Sequence, residues 1–86
     1  MPNPDHWSHE LHQEPDGTYR LEVLDERGER VPVARQITES QAKLLLKAIE
    51  QEARRRLYAV AEIVRDPEFM ATTVIAIKRG NGRRGG

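Results

Sequence analysis

The sequence contains no cysteine, which excludes disulfide bonds and thiolate zinc sites as supports for the fold. Aromatic residues make up only 5% of its 86 residues and hydrophobic residues 37%, so the material for a core is limited. No stretch approaches the roughly 18 consecutive apolar residues that a membrane-spanning helix requires. The amino terminus has neither a basic start nor an apolar run, so we expect no signal peptide, no membrane contact and a cytoplasmic location.

Charged residues are abundant and are distributed unevenly along the chain. They make up 33% of the sequence, and the net charge is zero. Residues 1–39 contain nine acidic and four basic residues, a net charge of −5, and residues 40–86 contain five acidic and ten basic residues, a net charge of +5. This segregation favours a charged partner, although a dipolar and well-solvated surface would produce the same pattern.

The first half of the chain shows the alternation that is typical of antiparallel strands. In residues 18–24 the alternate residues Tyr19, Leu21 and Val23 are apolar and face one way, and polar residues face the other. Residues 31–37 form a second predicted strand. Because proline has no N–H to donate, this strand is expected at an edge of the sheet or with the missing donor of Pro32 pointing outward. Residues 6–12 are a further short strand. Gly17 and Gly28 are the pivots of the two connections.

A long helix is the strongest signal of the second half. Thr38 and Gln41 have the spacing of a capping box, and no glycine or proline follows until Pro67. One narrow stripe of the helix contains Ala42, Leu46, Ile49, Ala53, Leu57, Val60 and Val64. The helix is predicted to run from about residue 39 to about residue 65, which spans roughly 40 Å. A compact domain of this size has a radius of gyration near 12 Å, so the helix either breaks or projects towards a partner.

The end of the chain is predicted to form a strand and a tail. Residues 66–68, Asp-Pro-Glu, end the helix, and the β-branched residues of 72–78 favour a strand buried on both faces. Residues 80–86 contain no apolar residue, so a disordered basic tail is expected there. The predicted fold is therefore α+β, with one domain over residues 1–79. It is a small antiparallel sheet, in the order β-β-β-α-β, packed on one long amphipathic helix.

We find no arrangement of residues that predicts catalysis. No nucleophile–base pair can be assembled from the sequence, and no glycine-rich loop has the context of a phosphate site. His6, His9 and His12 are spaced three apart, which would align them on a helix, but on a strand His9 faces away from the other two. We therefore expect no enzyme, no metal site and no cofactor.

The basic residues at the end of the chain are the candidate nucleic-acid site. Lys78, Arg79, Arg83 and Arg84 lie within seven residues and are interleaved with glycines. Such a segment can follow a phosphate backbone with little conformational strain, and each phosphate contact adds affinity through counterion release. The sequence therefore favours a small, non-enzymatic protein that binds nucleic acid weakly and without specificity. The alternative is that the tail only increases solubility.

The long helix is the candidate protein interface. Leu44 and Tyr58 project away from the apolar stripe but do not lie on one line, so the interface would not be a simple coiled coil. A thin core can be supplemented by a partner chain, which favours a homodimer or another protein partner bound through the helix. The second functional hypothesis is therefore a protein-interaction module, such as an inhibitor or adaptor.

The end of the chain also resembles two known families. A hairpin, a helix and a further strand, followed by Arg84, Gly85 and Gly86, look like the ubiquitin-like and sulfur-carrier β-grasp proteins. This resemblance implies that Gly85 and Gly86 form an activated carrier terminus, although the predicted helix is about twice the length of a β-grasp helix. A strand pair, a helix led by Thr38 and a further strand are also loosely similar to small antitoxins of the HicB type. The Pro-Asp-Leu-Pro-Gly-like segment of those antitoxins is absent here.

Overall fold

The computed structural model describes residues 7–79 and shows an α+β fold with one antiparallel sheet. The elements in chain order are β1 (Ser8–Gln13), β2 (Tyr19–Leu24), β3 (Arg30–Ile37), α1 (Glu39–Arg56), α2 (Val60–Val64) and α3 (Pro67–Lys78). The predicted α+β class and the order β-β-β-α are confirmed. The elements after α1 differ from the prediction.

Both glycine turns form where the sequence places them. The backbone N–H of Gly17 donates to the carbonyl of Glu14 at 2.9 Å, and that of Gly28 donates to the carbonyl of Asp25 at 2.9 Å. Their φ angles, 90° and 81°, lie in the left-handed region that glycine enters without a steric penalty. The two turns fix the registers of β1 with β2 and of β2 with β3.

Strand β3 lies at an edge of the sheet, as Pro32 predicts. The strand order is β1-β2-β3, so β2 is central. The register between β2 and β3 shifts twice, once between Tyr19 and Leu21 and once between Leu21 and Glu22, and each shift adds one residue to β3. The shifts allow Ile37 to pair with Tyr19 and to bury its side chain before α1 begins.

The predicted single helix over residues 39–65 is wrong, because α1 ends at Arg56. Leu57 takes a left-handed conformation, with φ 60° and ψ 38°. The N–H of Tyr58 donates to the carbonyl of Ala53 at 3.0 Å and the N–H of Leu57 to the carbonyl of Arg54 at 3.4 Å, which is a Schellman ending. A straight helix would carry the apolar residues of 60–64 past the sheet, whereas the reversal at Leu57 returns them to the core.

The predicted strand over residues 72–78 is also wrong, because these residues belong to α3. Asp66 caps α3 by accepting hydrogen bonds from the N–H groups of Glu68 at 3.0 Å and Phe69 at 3.3 Å, and Pro67 occupies the first turn. β-branched residues cost a helix only a few tenths of a kcal/mol each, less than this cap and the burial of Ile77 contribute. The topology shared with β-grasp proteins and HicB-type antitoxins, in which a strand follows the helix, is therefore missing within residues 7–79.

The core lies between the inner face of the sheet and the three helices, in two adjoining clusters. One cluster contains Val23, Val31, Ile49, Ala53, Val60, Ala61, Ile63 and Val64, and the other contains Leu21, Ile37, Ala42, Leu45 and Ile77. Val33 and Leu46 pack against both clusters and join them. The side chains of α2 thus occupy part of the core that the predicted final strand was expected to fill.

The break in the helix shortens α1 to 18 residues, about 27 Å, instead of the predicted length of roughly 40 Å. Its radius of gyration is 12.8 Å and its longest dimension is 41 Å. Neither end of α1 projects as a free helix, so the excess length that suggested a partner is absent. Within residues 7–79, no helix combines the length and the apolar character needed to cross a lipid bilayer.

Candidate functional site

The carboxyl end of α3 is anchored against the start of α1 and the end of β3. The side-chain amide of Gln41 donates from Nε2 to the carbonyl of Ile77 at 3.2 Å, and the ammonium of Lys78 donates to the carbonyl of Arg35 at 3.2 Å. Arg79 follows as the last described residue. We call Arg35, Lys78 and Arg79 the basic end. All three are exposed, so their charges face solvent.

Arg35, Lys78 and Arg79 differ from most of the described arginines because they have no described carboxylate partner, a feature that they share with Arg27. Most described arginines are paired: Arg20 with Glu14 and Glu22, Arg30 with Glu10, Arg55 and Arg56 with Glu52, and Arg65 with Asp25. Arg35 and Arg79 have no carboxylate partner among residues 7–79, and Lys78 binds only a backbone carbonyl there. Lys47 lies on α1 and lines a groove between α1 and α3. It also has no carboxylate partner among residues 7–79.

The structure therefore brings together only part of the predicted nucleic-acid site. Lys78 and Arg79 lie together at the end of α3, and Arg35 joins them from β3. Arg83 and Arg84 lie outside the described residues, and so does the predicted tail. Arg35 could not be assigned to this surface from sequence, because only the packing of α3 against β3 brings it there.

The two predicted interface residues are both exposed but belong to different places. Leu44 is 52% exposed and lines an apolar groove between α1 and α3, together with Thr72, Thr73 and Ala76. Tyr58 is 46% exposed and lies in the turn after α1, outside that groove. Ile75, which the sequence suggests is buried in a central strand, is 48% exposed on α3. The groove therefore supplies an apolar surface to which Leu44 contributes and Tyr58 does not.

The outer face of the sheet carries a cluster of charged residues that the sequence pattern alone does not predict. We call Glu10, His12 and Glu22 the outer-face cluster, and Arg20 and Arg30 surround it. His12 pairs with Arg20 across β1 and β2. His9 pairs with Val23 and so faces the other side of the sheet from His12, as a strand requires. His6 lies outside the described residues.

Glu22 is buried, although the alternation of β2 places it on the solvent face. It is only 9% exposed, because neighbouring side chains cover it. Its Oε2 accepts a hydrogen bond from Nη1 of Arg20 at 3.0 Å. The guanidinium of Arg30 holds the pKa of Glu10 below its usual value, chiefly through a hydrogen bond to its carboxylate. The charges at alternate positions of β1, β2 and β3 were the available signal, but only the register shows that they converge.

Asp25 is a further carboxylate with several hydrogen-bond donors, and its contacts stabilise the fold. Asp25 accepts hydrogen bonds from the backbone N–H groups of Arg27 and Glu29, both at 2.9 Å, and pairs with Arg65 at 3.1 Å. The N–H of Glu29 is the main cause of its lowered pKa, and Arg65 contributes. A carboxylate held ionised by donors is poorly suited to general acid catalysis near neutral pH. Although Asp25 lines a cleft between the β2–β3 turn and α2, its contacts favour a structural role.

Comparison of the chain with protein-family models, curated proteins and solved structures finds no match. A function therefore has to be inferred from the basic end, the apolar groove and the outer-face cluster.

Proposed function

We propose that the protein is a small, non-enzymatic nucleic-acid-associated protein whose basic end and following segment contact the phosphate backbone. The observation that carries this proposal is the lack of described carboxylate partners at Arg35, Lys78 and Arg79. A cation that is already paired must give up its partner to bind phosphate, whereas an unpaired one exchanges only water and counterions. Phosphate contacts therefore cost less at this end of the molecule than at the arginines that are already paired with carboxylates.

The sequence beyond Arg79 adds two more basic residues. Arg83 and Arg84 follow within five residues, separated from it by glycine and asparagine. Contacts of this kind position a protein on nucleic acid but do not read base sequence. Aromatic side chains that stack on bases are scarce in the chain. The expected activity is therefore weak, salt-dependent and independent of sequence.

The test is a titration of labelled single-stranded and double-stranded oligonucleotides at 50 and 200 mM salt. The intact protein is compared with a variant carrying Arg79→Gln, Arg83→Gln and Arg84→Gln. The log–log slope of affinity against salt is expected to fall by roughly two to three units in the variant. Arg27→Gln is the control, because Arg27 lies in the β2–β3 turn and its side chain has no described carboxylate partner.

The result separates the nucleic-acid proposal from its alternatives. A steep salt dependence that is retained in Arg27→Gln and weakened in the triple variant supports Arg79 and the basic segment that follows it as the contact with phosphate. Failure of the intact protein to bind either oligonucleotide at 50 mM salt would contradict the proposal. If Arg27→Gln lowers the salt slope as much as the triple variant does, the oligonucleotide is attracted to positive charge in general rather than to a defined surface.

A protein-interaction module is the second candidate, and the apolar groove between α1 and α3 favours it. Leu44 is 52% exposed in this groove, where Thr72, Thr73 and Ala76 also line an apolar surface that a partner could cover. Sedimentation at high micromolar concentration tests for a second copy of the chain as the partner. Leu44→Asp is expected to abolish association and Tyr58→Asp to leave it intact if the groove is the interface. A monomer at that concentration would exclude self-association.

A further inference from the structure

Two carboxylates lie directly opposite each other on the outer face of the sheet. Glu10 of β1 pairs with Glu22 of β2 in the antiparallel register. Like charges at directly opposed positions destabilise a sheet, so this pair needs cations close by, and Arg20 and Arg30 supply two of them. Nε2 of His12 lies 3.1 Å from Oε1 of Glu10 and 3.3 Å from Oε1 of Glu22. These three atoms all lie within 4.8 Å of one another.

Glu22 supplies an independent indication that a ligand binds here. The residue is 9% exposed and its side chain 12%, and its Oε1 accepts no hydrogen bond from the described residues, although Nε2 of His12 is 3.3 Å away. Its other oxygen is held by Arg20, which fixes the plane of the carboxylate. A buried carboxylate oxygen without a hydrogen bond carries an unrecovered desolvation cost. That cost is removed if the oxygen coordinates a metal ion.

We propose that the outer-face cluster is a site for a divalent transition-metal ion, with zinc as the best-fitting occupant. The ligand atoms would be Oε1 of Glu10, Nε2 of His12 and Oε1 of Glu22. Zinc bonds to imidazole and carboxylate are about 2.0–2.2 Å long, so the edges of a tetrahedral site measure about 3.3–3.5 Å. The distances from His12 to the two carboxylates, 3.1 and 3.3 Å, are close to such an edge.

The chemistry of the three ligands also favours zinc over calcium or magnesium. Imidazole suits zinc and related transition metals, whereas calcium and magnesium prefer sites made of oxygen ligands. Two carboxylates and a neutral imidazole balance the charge of a divalent ion. The side chains of His12 and Glu10 are 38% and 31% exposed, so a water molecule can reach the fourth position.

Arg30 and Arg20 have different roles in the proposed site. Nε of Arg30 donates to Oε1 of Glu10 at 2.8 Å and lies 3.7 Å from Oε1 of Glu22, so this guanidinium competes with a metal ion for both carboxylates. Its side chain is 60% exposed on the edge strand and can turn into solvent. Arg20 binds the oxygen of Glu22 that is not a proposed ligand, and so it orients the ligand from outside the site.

The first experiment is calorimetric titration of the full chain with zinc chloride, with the thermal unfolding midpoint measured in parallel. We expect saturable binding of one zinc ion and a higher midpoint with zinc. His12→Gln and Glu22→Gln should each weaken binding by about tenfold or more. His9→Gln is the matched control, because it removes a histidine from the same strand but from the opposite face. Circular dichroism checks that each variant is folded.

The two arginines give a second test that a merely structural ion cluster would not pass. Arg30→Met removes the competitor and is expected to tighten zinc binding. Arg20→Met removes the same charge but also releases Glu22, so it should tighten binding less than Arg30→Met or weaken it. The proposal is overturned if millimolar zinc does not bind saturably or if His9→Gln reduces binding as much as His12→Gln. Equal tightening in the two arginine variants would also overturn it, since general electrostatic attraction would then suffice.

Discussion

Arg56 and Asp66 join the end of α1 to the start of α3 across the break in the predicted long helix. Nη1 of Arg56 donates to Oδ2 of Asp66 at 2.8 Å, while Oδ1 of Asp66 caps α3 through the N–H of Glu68. The guanidinium also lies 6.0 Å from the centroid of the Phe69 ring. One carboxylate therefore fixes both the beginning of α3 and its position relative to α1.

The first prediction concerns this link. Asp66→Ala removes the helix cap and the partner of Arg56, so it is expected to lower the free energy of unfolding by about 1–2 kcal/mol. Glu68→Ala is the control, because it keeps the cap and changes only an exposed acidic residue of the first turn. Urea denaturation of both variants measures the difference. Equal effects of the two substitutions would contradict the capping role of Asp66.

The second prediction concerns the left-handed conformation of Leu57, which decides whether a glycine substitution there raises or lowers the free energy of unfolding. Leu57→Gly is expected to raise the free energy of unfolding by roughly 0.5–1 kcal/mol, because glycine removes the steric cost of the left-handed conformation. Leu57 is 68% exposed, so little burial is lost. In an unbroken helix the same change would be destabilising by about 1 kcal/mol. Gln51→Gly, in the exposed interior of α1, is the control that should destabilise.

The third prediction concerns Gln41, whose side chain forms hydrogen bonds at the start of α1 and at the end of α3. Its Oε1 accepts from the N–H of Thr38 at 2.8 Å, and its Nε2 donates to the carbonyl of Ile77 at 3.2 Å. Gln41→Glu keeps an acceptor for the capping box but loses the donor to α3, so it is expected to lower the free energy of unfolding by about 1 kcal/mol. A stabilising effect, which an isolated helix would show, would argue against the link between α1 and α3.

The fourth prediction is a loss of stability in acid. The pKa values of Asp25 and Asp66 are both lowered, chiefly by the backbone N–H of Glu29 and by Arg56 respectively, so the unfolded chain binds protons at higher pH than the folded one. Their contribution is present above the usual carboxyl value of 3.8 and is lost as pH falls through the lowered folded values.

Urea midpoints between pH 6 and pH 2 measure this loss. Asp25→Asn should lower the midpoint at pH 6 and reduce its change with pH, because the asparagine side chain does not titrate. Glu26→Gln is the control, since Glu26 is exposed in the same turn. If the midpoint of Asp25→Asn falls with acid as steeply as that of the intact protein, Asp25 does not contribute to the pH dependence.

The elements that local signals determine were predicted correctly, and those that depend on tertiary packing were not. The glycines at 17 and 28 and the capping box of Thr38 predicted two turns and the start of α1, and all three form. Asp66 and Pro67 predict the end of one helix, although the same pair is also a typical helix start. Leu57 carries no local signal for a left-handed conformation, because its break is imposed by the return of α2 to the core.

The candidate sites show the same division. Lys78 and Arg79 could be recognised from their sequence, but the addition of Arg35 to the basic end depends on the docking of α3 against β3. Glu22 was expected to face solvent from the alternation of β2, and its burial depends on side chains from two neighbouring strands. Charge convergence across strands becomes visible only once the register is known.

The two edge strands of the sheet, β1 and β3, differ in how well they could pair with an additional strand. Strand β3 contains Pro32 and two register shifts, which interrupt the row of donors and acceptors that another strand would need. Strand β1 pairs with β2 in unbroken register and has neither a proline nor a shift within Ser8–Gln13. Among the described strands, β1 is therefore the edge with the more regular row of donors and acceptors for an additional strand, whether from a partner or from an aggregating neighbour.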